Sequence, residues 1–314
     1  MEKIQHSTIK TNGINMHIAS IGTGPAVLLL HGFPELWYSW RHQLLSLSYL
    51  GYRAIAPDLR GFGDSDAPPL PASYTGLHIV GDLVGLLDHL GIDQVFLAGH
   101  DWGAVIAWYF SLFRPDRVKA VIILSVPYWP RNPAVKFVEG FRNLFGDDYY
   151  ICRFQEPGEA EKVFASQDIE KLFEKVLTIG PDPRCVSKAL GFGDFEAPGP
   201  LPSWLSPDDV KFYATTFKET GFTGGLNYYR SLDLTWDLTA AWTGAQIKVP
   251  AKFISGDQDI VYNIPGIKEY IHNGGFNRDV PSLEVVVMEG VGHFINQEKP
   301  DQVTAHIYEF IKKF

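Results

Sequence analysis

The segment QVFLAGHDWGAVIAWYF (94–110) limits the fold more than any other part of the chain. An apolar run with the composition of a buried strand ends in Gly99-His100-Asp101-Trp102-Gly103, and an apolar helical run begins at once, so strand must turn into helix with no loop between. Such a turn forces its middle residue into a strained backbone conformation. The positions two before and two after it then have room only for hydrogen side chains, and Gly99 and Gly103 stand there. Asp101 is expected to project at the carboxyl end of a sheet beside a helix N-terminus, whose partial positive charge favours an ionised carboxylate.

The rest of the chain supplies the sheet. From Pro25 onward, AVLLL (26–30), YRAIA (52–56), QVFLA (94–98), AVIIL (120–124), AKFIS (251–255) and LEVVVM (283–288) alternate with helical patterns, the rhythm of βα units in a mostly parallel sheet. Ile79, Leu83, Leu86 and Leu90 share one helical face, and Gly91 closes that helix. A second helix follows Asp101 up to Pro115. The last starts near Pro300, with Val303, Ile307, Phe310 and Phe314 on one side and Lys312 and Lys313 near its end.

Between about Tyr128 and Trp236 this rhythm stops, and the text turns Pro-, Gly- and aromatic-rich, with helical pieces at 168–177 and 206–217, where Ser206 is the expected N-cap and Pro207 lies in the first turn. The spacing predicts an α/β core domain from residues 1–130 and 236–314 and an inserted helical cap over 131–235. PPLPASY (68–74) reads as a loop.

With 314 residues, 46% apolar and 14% aromatic, the chain can bury a large core, which excludes a disordered or fibrous reading. The formal net charge of −9, with no basic patch, argues against nucleic acid or anionic membrane as partner. Two cysteines, Cys152 and Cys185, form no CxxC or metal-ligand spacing, so neither a disulfide framework nor a zinc site is expected. No stretch has the length of a membrane span, MEKIQHSTIKTNG lacks an apolar signal region and IKKF is no peroxisomal address, so a cytoplasmic chain is expected, a monomer or weak homodimer.

A carboxylate nucleophile forms an alkyl ester at saturated carbon, which suits epoxides and alkyl halides and not acyl groups. His31-Gly32-Phe33-Pro34-Glu35 follows the first apolar strand, where a backbone donor is needed, and the expected oxyanion-hole donors are the N–H groups of Phe33 and Trp102. The base should follow the last strand, where LEVVVMEGVGHF offers His293. The acid should end the preceding strand, where Asp257 and Asp259 both stand; a carboxylate after AVIIL would serve instead, but SVPY (125–128) has none.

With HGFPELWYSW, GHDWGA, GDQDIVY and GVGHF in order, and DDYYICRFQEPGE (147–159) and GFTGGLNYYRSLDLTWDLTAAWTGAQIKVP (221–250) between them, the chain resembles the plant soluble epoxide hydrolases over nearly its whole length. The resemblance implies the α/β-hydrolase fold, Asp101 as nucleophile, His293 as base and Asp259 as its acid. It implies that Tyr150 and Tyr229 hydrogen-bond the epoxide oxygen. It gives Glu35 and His100 the holding and relay of the hydrolytic water, with His31 grouped beside them. Asn263 departs from the pattern, since related plant proteins often carry His there.

The implied reaction opens a small lipophilic epoxide to a vicinal diol through an ester on Asp101, which water activated by His293 and Asp259 then hydrolyses. No metal, nucleotide or organic cofactor is expected. The rival readings are a haloalkane or haloacid dehalogenase, which shares the carboxylate nucleophile, and a non-catalytic ligand receptor on the same fold. Two phenol donors argue against the first, and Asp at position 101 argues against the second.

Overall fold

The computed structural model describes residues 3–183 and 199–314. Cys185 lies outside the described residues, and Cys152 is buried as a free thiol.

Eight strands form one sheet: β1 (Gln5–Thr11), β2 (Ile14–Ile21), β3 (Ala26–Leu30), β4 (Arg53–Pro57), β5 (Val95–His100), β6 (Val118–Leu124), β7 (Ala251–Gly256) and β8 (Leu283–Met288). Their order is β1-β2-β4-β3-β5-β6-β7-β8. β2 is antiparallel to both β1 and β4, and all other pairs are parallel. β3, β5 and β7 are buried along their whole length because helices cover both faces of the sheet, which is why they read as unbroken apolar runs. Burying one such leucine is worth roughly 1.5–3 kcal/mol, and Leu29→Ala would cost about 2–5 kcal/mol through the cavity it leaves.

The β1–β2 hairpin falls outside the sequence expectation. β1 lies at the sheet edge with only Ile9 and Thr11 buried, so QHSTIKT shows little of the alternation that marks a strand. Its signal is the turn: Asn12 and Gly13 both have positive φ, 42° and 82°, between the paired Thr11 and Ile14, the preferred sequence for a two-residue hairpin.

Helix Gly76–His89 is capped by the Thr75 hydroxyl and followed by Gly91 at φ 66°. Helix Trp102–Phe113 starts directly after β5 and packs on β5 and β3. In the last helix, Pro300–Ile311, Val303, Ile307 and Phe310 are buried. Phe314 is instead 53% exposed, because the helix has ended and the residue rests only edge-on against Phe310, while Lys313 pairs with Glu284 on β8.

Between β6 and β7 the chain leaves the sheet, and its described residues there form helices and no strand, among them Phe137–Phe145, Tyr150–Arg153, Ile169–Leu177, Pro207–Thr220, Thr223–Arg230 and Leu232–Leu238. Asp168 and Ser206 cap two of them, and Pro207 occupies the first turn. The excursion is tied to the sheet-bearing part by buried polar contacts. Asp209 accepts from the Tyr38 hydroxyl at 2.9 Å and pairs with Arg41 at 3.0 Å, and the Tyr228 hydroxyl donates to the Arg60 carbonyl at 2.9 Å. Among the described residues no helix is long and apolar enough to cross a membrane.

Candidate active site

The elbow after β5 has the predicted strain: Asp101 sits at φ 51°, ψ −119°. A Cβ on Gly99 would lie 2.2 Å from the Gly103 carbonyl oxygen, and one on Gly103 would lie 2.1 Å from that of Leu30. The glycines let strand, turn and β3 approach closely enough to aim the carboxylate away from the sheet.

Asp101 Oδ1 accepts the Phe33 N–H at 2.8 Å, and Oδ2 lies 3.6 Å from Nε2 of His293. Burial opposes charge on Asp101, but His293, His100 and the Phe33 amide outweigh it and hold its pKa below the usual carboxylate value. His293 follows β8. Its Nδ1 lies 3.0 Å from Oδ1 of Asp259, in the loop after β7, and Asp259 Oδ1 also accepts the Val261 N–H at 2.7 Å. Asp257 points elsewhere, accepting the Gly290 N–H at 2.8 Å. Burial lowers the pKa of His293, yet the carboxylates of Asp259 and Asp101 on either side raise it well above 6.5. Asn263, the departure from the family pattern, clasps the acid loop by donating to the carbonyls of Asp257 and Asp259 at 2.9 and 2.8 Å.

Beneath Asp101, His100 and Glu35 are fully buried. His100 Nδ1 lies 2.7 Å from Glu35 Oε2, and its Nε2 lies 2.8 Å from the His293 carbonyl oxygen. Both partners are acceptors, so both ring nitrogens carry protons and the pair is an imidazolium against a carboxylate. Glu35 Oε2 also accepts the Gly32 N–H at 2.9 Å, and Oε1 accepts from Gln297 at 3.1 Å. His31 does not join this group: its Nδ1 donates to the Gly32 carbonyl and its Nε2 accepts the Leu59 N–H, so both nitrogens serve the main chain.

Two cavities meet at Asp101. The larger is lined by aromatic and aliphatic side chains, including Trp102, Trp129, Phe141 and Leu232, and has no Lys, Arg or His in its wall. The smaller brings in His293, Phe33 and Phe294. Asp101, Tyr150, Tyr229 and Val261 line both. The two tyrosines face each other with ring centroids 5.8 Å apart. Burial pushes both phenol pKa values well above 10, so both remain O–H donors. Trp102 packs edge-on against Tyr229 with ring centroids 5.0 Å apart, and Tyr150 packs against Tyr149 at 4.7 Å.

Sequence reasoning did not reach three residues here. Ser125, directly after β6, has its hydroxyl 3.0 Å from His293 Nδ1. Glu298 accepts the N–H groups of Gly292 and Phe294 and so holds the histidine loop. Gln297 links Glu35 to Arg41, whose guanidinium donates to its amide oxygen at 2.7 Å. Isolated polar residues carry no pattern by which a single sequence betrays them.

A family profile described as alpha/beta hydrolase fold matches residues 25–150. Epoxide hydrolase 2 of Siraitia grosvenorii is 66% identical over the full length of both chains. The crystal structure of an epoxide hydrolase from Vigna radiata superposes with a TM-score of 0.93 at 59% identity, covering 100% of this chain and 99% of that one. A point mutant of potato epoxide hydrolase gives a TM-score of 0.96 at 53% identity, covering 99% of this chain and 100% of that one. With strand order, elbow and full-length identity in agreement, the chain belongs to the plant epoxide hydrolase family, enzymes of the α/β-hydrolase fold.

Proposed function

We propose that the protein hydrolyses lipophilic epoxides to vicinal diols through a covalent ester on Asp101. The observation that carries this reading is the position of the Asp101 carboxylate, between the Phe33 N–H and His293 Nε2, at the floor of an apolar cavity that two neutral phenols also line. The Asp101 carboxylate attacks one oxirane carbon, the C–O bond breaks, and Tyr150 and Tyr229 donate to the departing oxygen. In the resting site His293 is an imidazolium, and its proton, passed through the tyrosines, ends on the new hydroxyl.

Esterification removes the charge of Asp101, leaving His293 neutral beside Asp259. It then takes a proton from water, and the hydroxide adds to the ester carbonyl of Asp101. Negative charge on the tetrahedral oxygen is received by the N–H of Phe33 and by that of Trp102, which opens its helix with no intrahelical acceptor. On collapse the alkoxide leaves with the second proton of the attacking water, which releases the diol and restores the Asp101 carboxylate, while the first proton stays on His293, so atoms and charge balance over the cycle. The buried Glu35–His100 pair holds the loop carbonyl of His293 and serves the hydrolytic water from beneath.

Residues 131–235 act as a cap over a core of 1–130 and 236–314; Phe141, Tyr150, Tyr229 and Leu232 from this segment line the larger cavity and support that division. A reducing, cytoplasmic setting accords with the buried free thiol of Cys152, and the chain would act there as a monomer or weak homodimer. The dehalogenase reading has less support, because the donors that line the cavity with Asp101 include two neutral phenols, the groups that a departing epoxide oxygen needs.

The test is diol formation from a panel of small and bulky aryl and alkyl epoxides by the wild type and Asp101→Asn. Diol from the wild type alone is expected. Halide release from haloalkanes without diol from any epoxide would overturn the reading.

A further inference from the structure

Ser125 stands where no family motif points. It follows the last residue of β6, and among the described residues only Asn12, Asp101 and Ser125 are non-glycine residues with positive φ. Asn12 belongs to a hairpin turn and Asp101 is the elbow residue. Ser125, at φ 76°, is the centre of a three-residue turn closed by the Val126 N–H on the Leu124 carbonyl at 2.9 Å, while its own N–H continues the sheet to Ile254 at 2.9 Å. This is the φ-positive γ-turn, rare and strained for a residue with a side chain. Glycine would take it freely, so the backbone alone gives serine no advantage.

What serine adds is an oxygen. Its hydroxyl is buried and lies 3.0 Å from Nδ1 of His293, the same distance as Asp259 Oδ1. A protonated Nδ1 has one hydrogen and two acceptors. Asp259 Oδ1 already takes the Val261 N–H, and Asp259 Oδ2 is buried with no hydrogen-bond partner, so the carboxylate alone leaves the ring free to pivot about a single contact. A second oxygen from a different strand removes that freedom.

We propose that Ser125 is a positioning residue for His293: its hydroxyl shares the Nδ1 proton with Asp259 and fixes the imidazole with Nε2 turned toward the ester carbonyl of Asp101. The inference rests on the proposed covalent mechanism. Two acceptors at Nδ1 also hold the neutral ring in the tautomer whose Nε2 lone pair is free for water, so the contribution falls on ester hydrolysis more than on ring opening. The charged and titratable groups around the imidazole are Asp101 at Nε2, Asp259 at Nδ1, His100 with its ring 4.8 Å away, and Glu298 behind the loop.

The experiment uses Ser125→Gly and Ser125→Ala in the full-length chain, assayed with an epoxide that the wild type converts and Asp101→Asn does not, so that failure of the mechanism itself is seen first. Ser125→Gly relaxes the turn and removes the whole CH2OH group, whereas Ser125→Ala removes the hydroxyl alone and keeps the strained turn. The expected result is a fall in kcat of about 10-fold, the value of one hydrogen bond to a charged group. KM falls with it, kcat/KM is retained, and the ester accumulates in the steady state. Removing an acceptor of the imidazolium also moves the acid limb of kcat to lower pH. In the Asp259→Asn background, Ser125→Asp, which tolerates positive φ, restores turnover above that of Asp259→Asn alone. Wild-type kcat and an unmoved acid limb in a folded Ser125→Gly would overturn the proposal, as would an equal fall of kcat and kcat/KM.

Discussion

His293 Nε2 lies 3.6 Å from Asp101 Oδ2, so the proposed base of the second step is the counter-ion of the proposed nucleophile in the first. In the proposed mechanism this single relationship orders the reaction in time. While Asp101 is a free carboxylate, the proton stays on His293; once Asp101 is an ester, one of the two carboxylates that held the proton is gone and the ring becomes a base. No conformational switch is required, because the substrate's own covalent attachment changes the electrostatics.

The phenols should act mainly in ring opening. Tyr150→Phe and Tyr229→Phe each remove one O–H from the departing oxygen, and a hydrogen bond to developing charge is worth roughly 1.5–3 kcal/mol, or about 10- to 100-fold in the alkylation rate. Pre-steady-state quenching of intrinsic fluorescence on mixing with substrate reads that rate. The double variant should alkylate more slowly than either single one; an alkylation rate equal to the wild type's in the double variant would remove the tyrosines from the mechanism.

The Glu35–His100 pair makes stability depend on pH from both sides. Burial opposes charge on each, but each partner's charge and hydrogen bond outweigh it, raising His100 above 6.5 and lowering Glu35 below 4.5. The His100 contribution is complete below pH 6.5 and is lost as pH rises through its raised folded value. The Glu35 contribution is complete above pH 4.5 and is lost as pH falls through its depressed one. Glu35→Gln leaves a buried imidazolium without its counter-ion and should cost about 3–5 kcal/mol in denaturant unfolding between those limits, with a smaller deficit on either side. A deficit independent of pH would show that the pair is not ionised.

Close backbone approach at the elbow separates folding from chemistry. Gly103→Ala drives a methyl to 2.1 Å from the Leu30 carbonyl oxygen and should abolish soluble expression. At Gly32 the three atoms nearest the added methyl all belong to Asp101, with Cβ at 2.4 Å and Oδ1 at 2.5 Å. Gly32→Ala should therefore displace Asp101 and lose nearly all turnover, and wild-type turnover in a variant with an unchanged circular dichroism spectrum would contradict this.

Cavity shape sets substrate range. Leu232 lines the larger cavity from the segment between β6 and β7, and Leu232→Trp would fill part of it while leaving Asp101 and His293 unchanged. The ratio of kcat/KM for a bulky aryl epoxide to that for a small alkyl epoxide should fall by about 10-fold or more. An unchanged ratio would place the substrate's larger arm in the other cavity.

Much of this architecture is legible in the text because the parallel strands are buried on both faces and the elbow needs glycine at two fixed positions. The hairpin of β1 and β2 is faint for the opposite reason, an edge strand with one wet face, although Asn12-Gly13 marks its turn. The choice between Asp257 and Asp259 could not be made from spacing, since both stand in one loop and only the folded chain shows which of them turns inward to the imidazole. Ser125 is silent in the sequence because its role depends on a positive φ and on a histidine 168 residues away.

The most direct test of the covalent account is a single turnover in oxygen-18 water with enzyme in excess over epoxide. The account predicts a first diol free of label, with oxygen-18 appearing afterwards in the peptide that contains Asp101. Label in the diol of the first turnover, with Asp101 unlabelled, would mean that water attacks the epoxide directly and would contradict it.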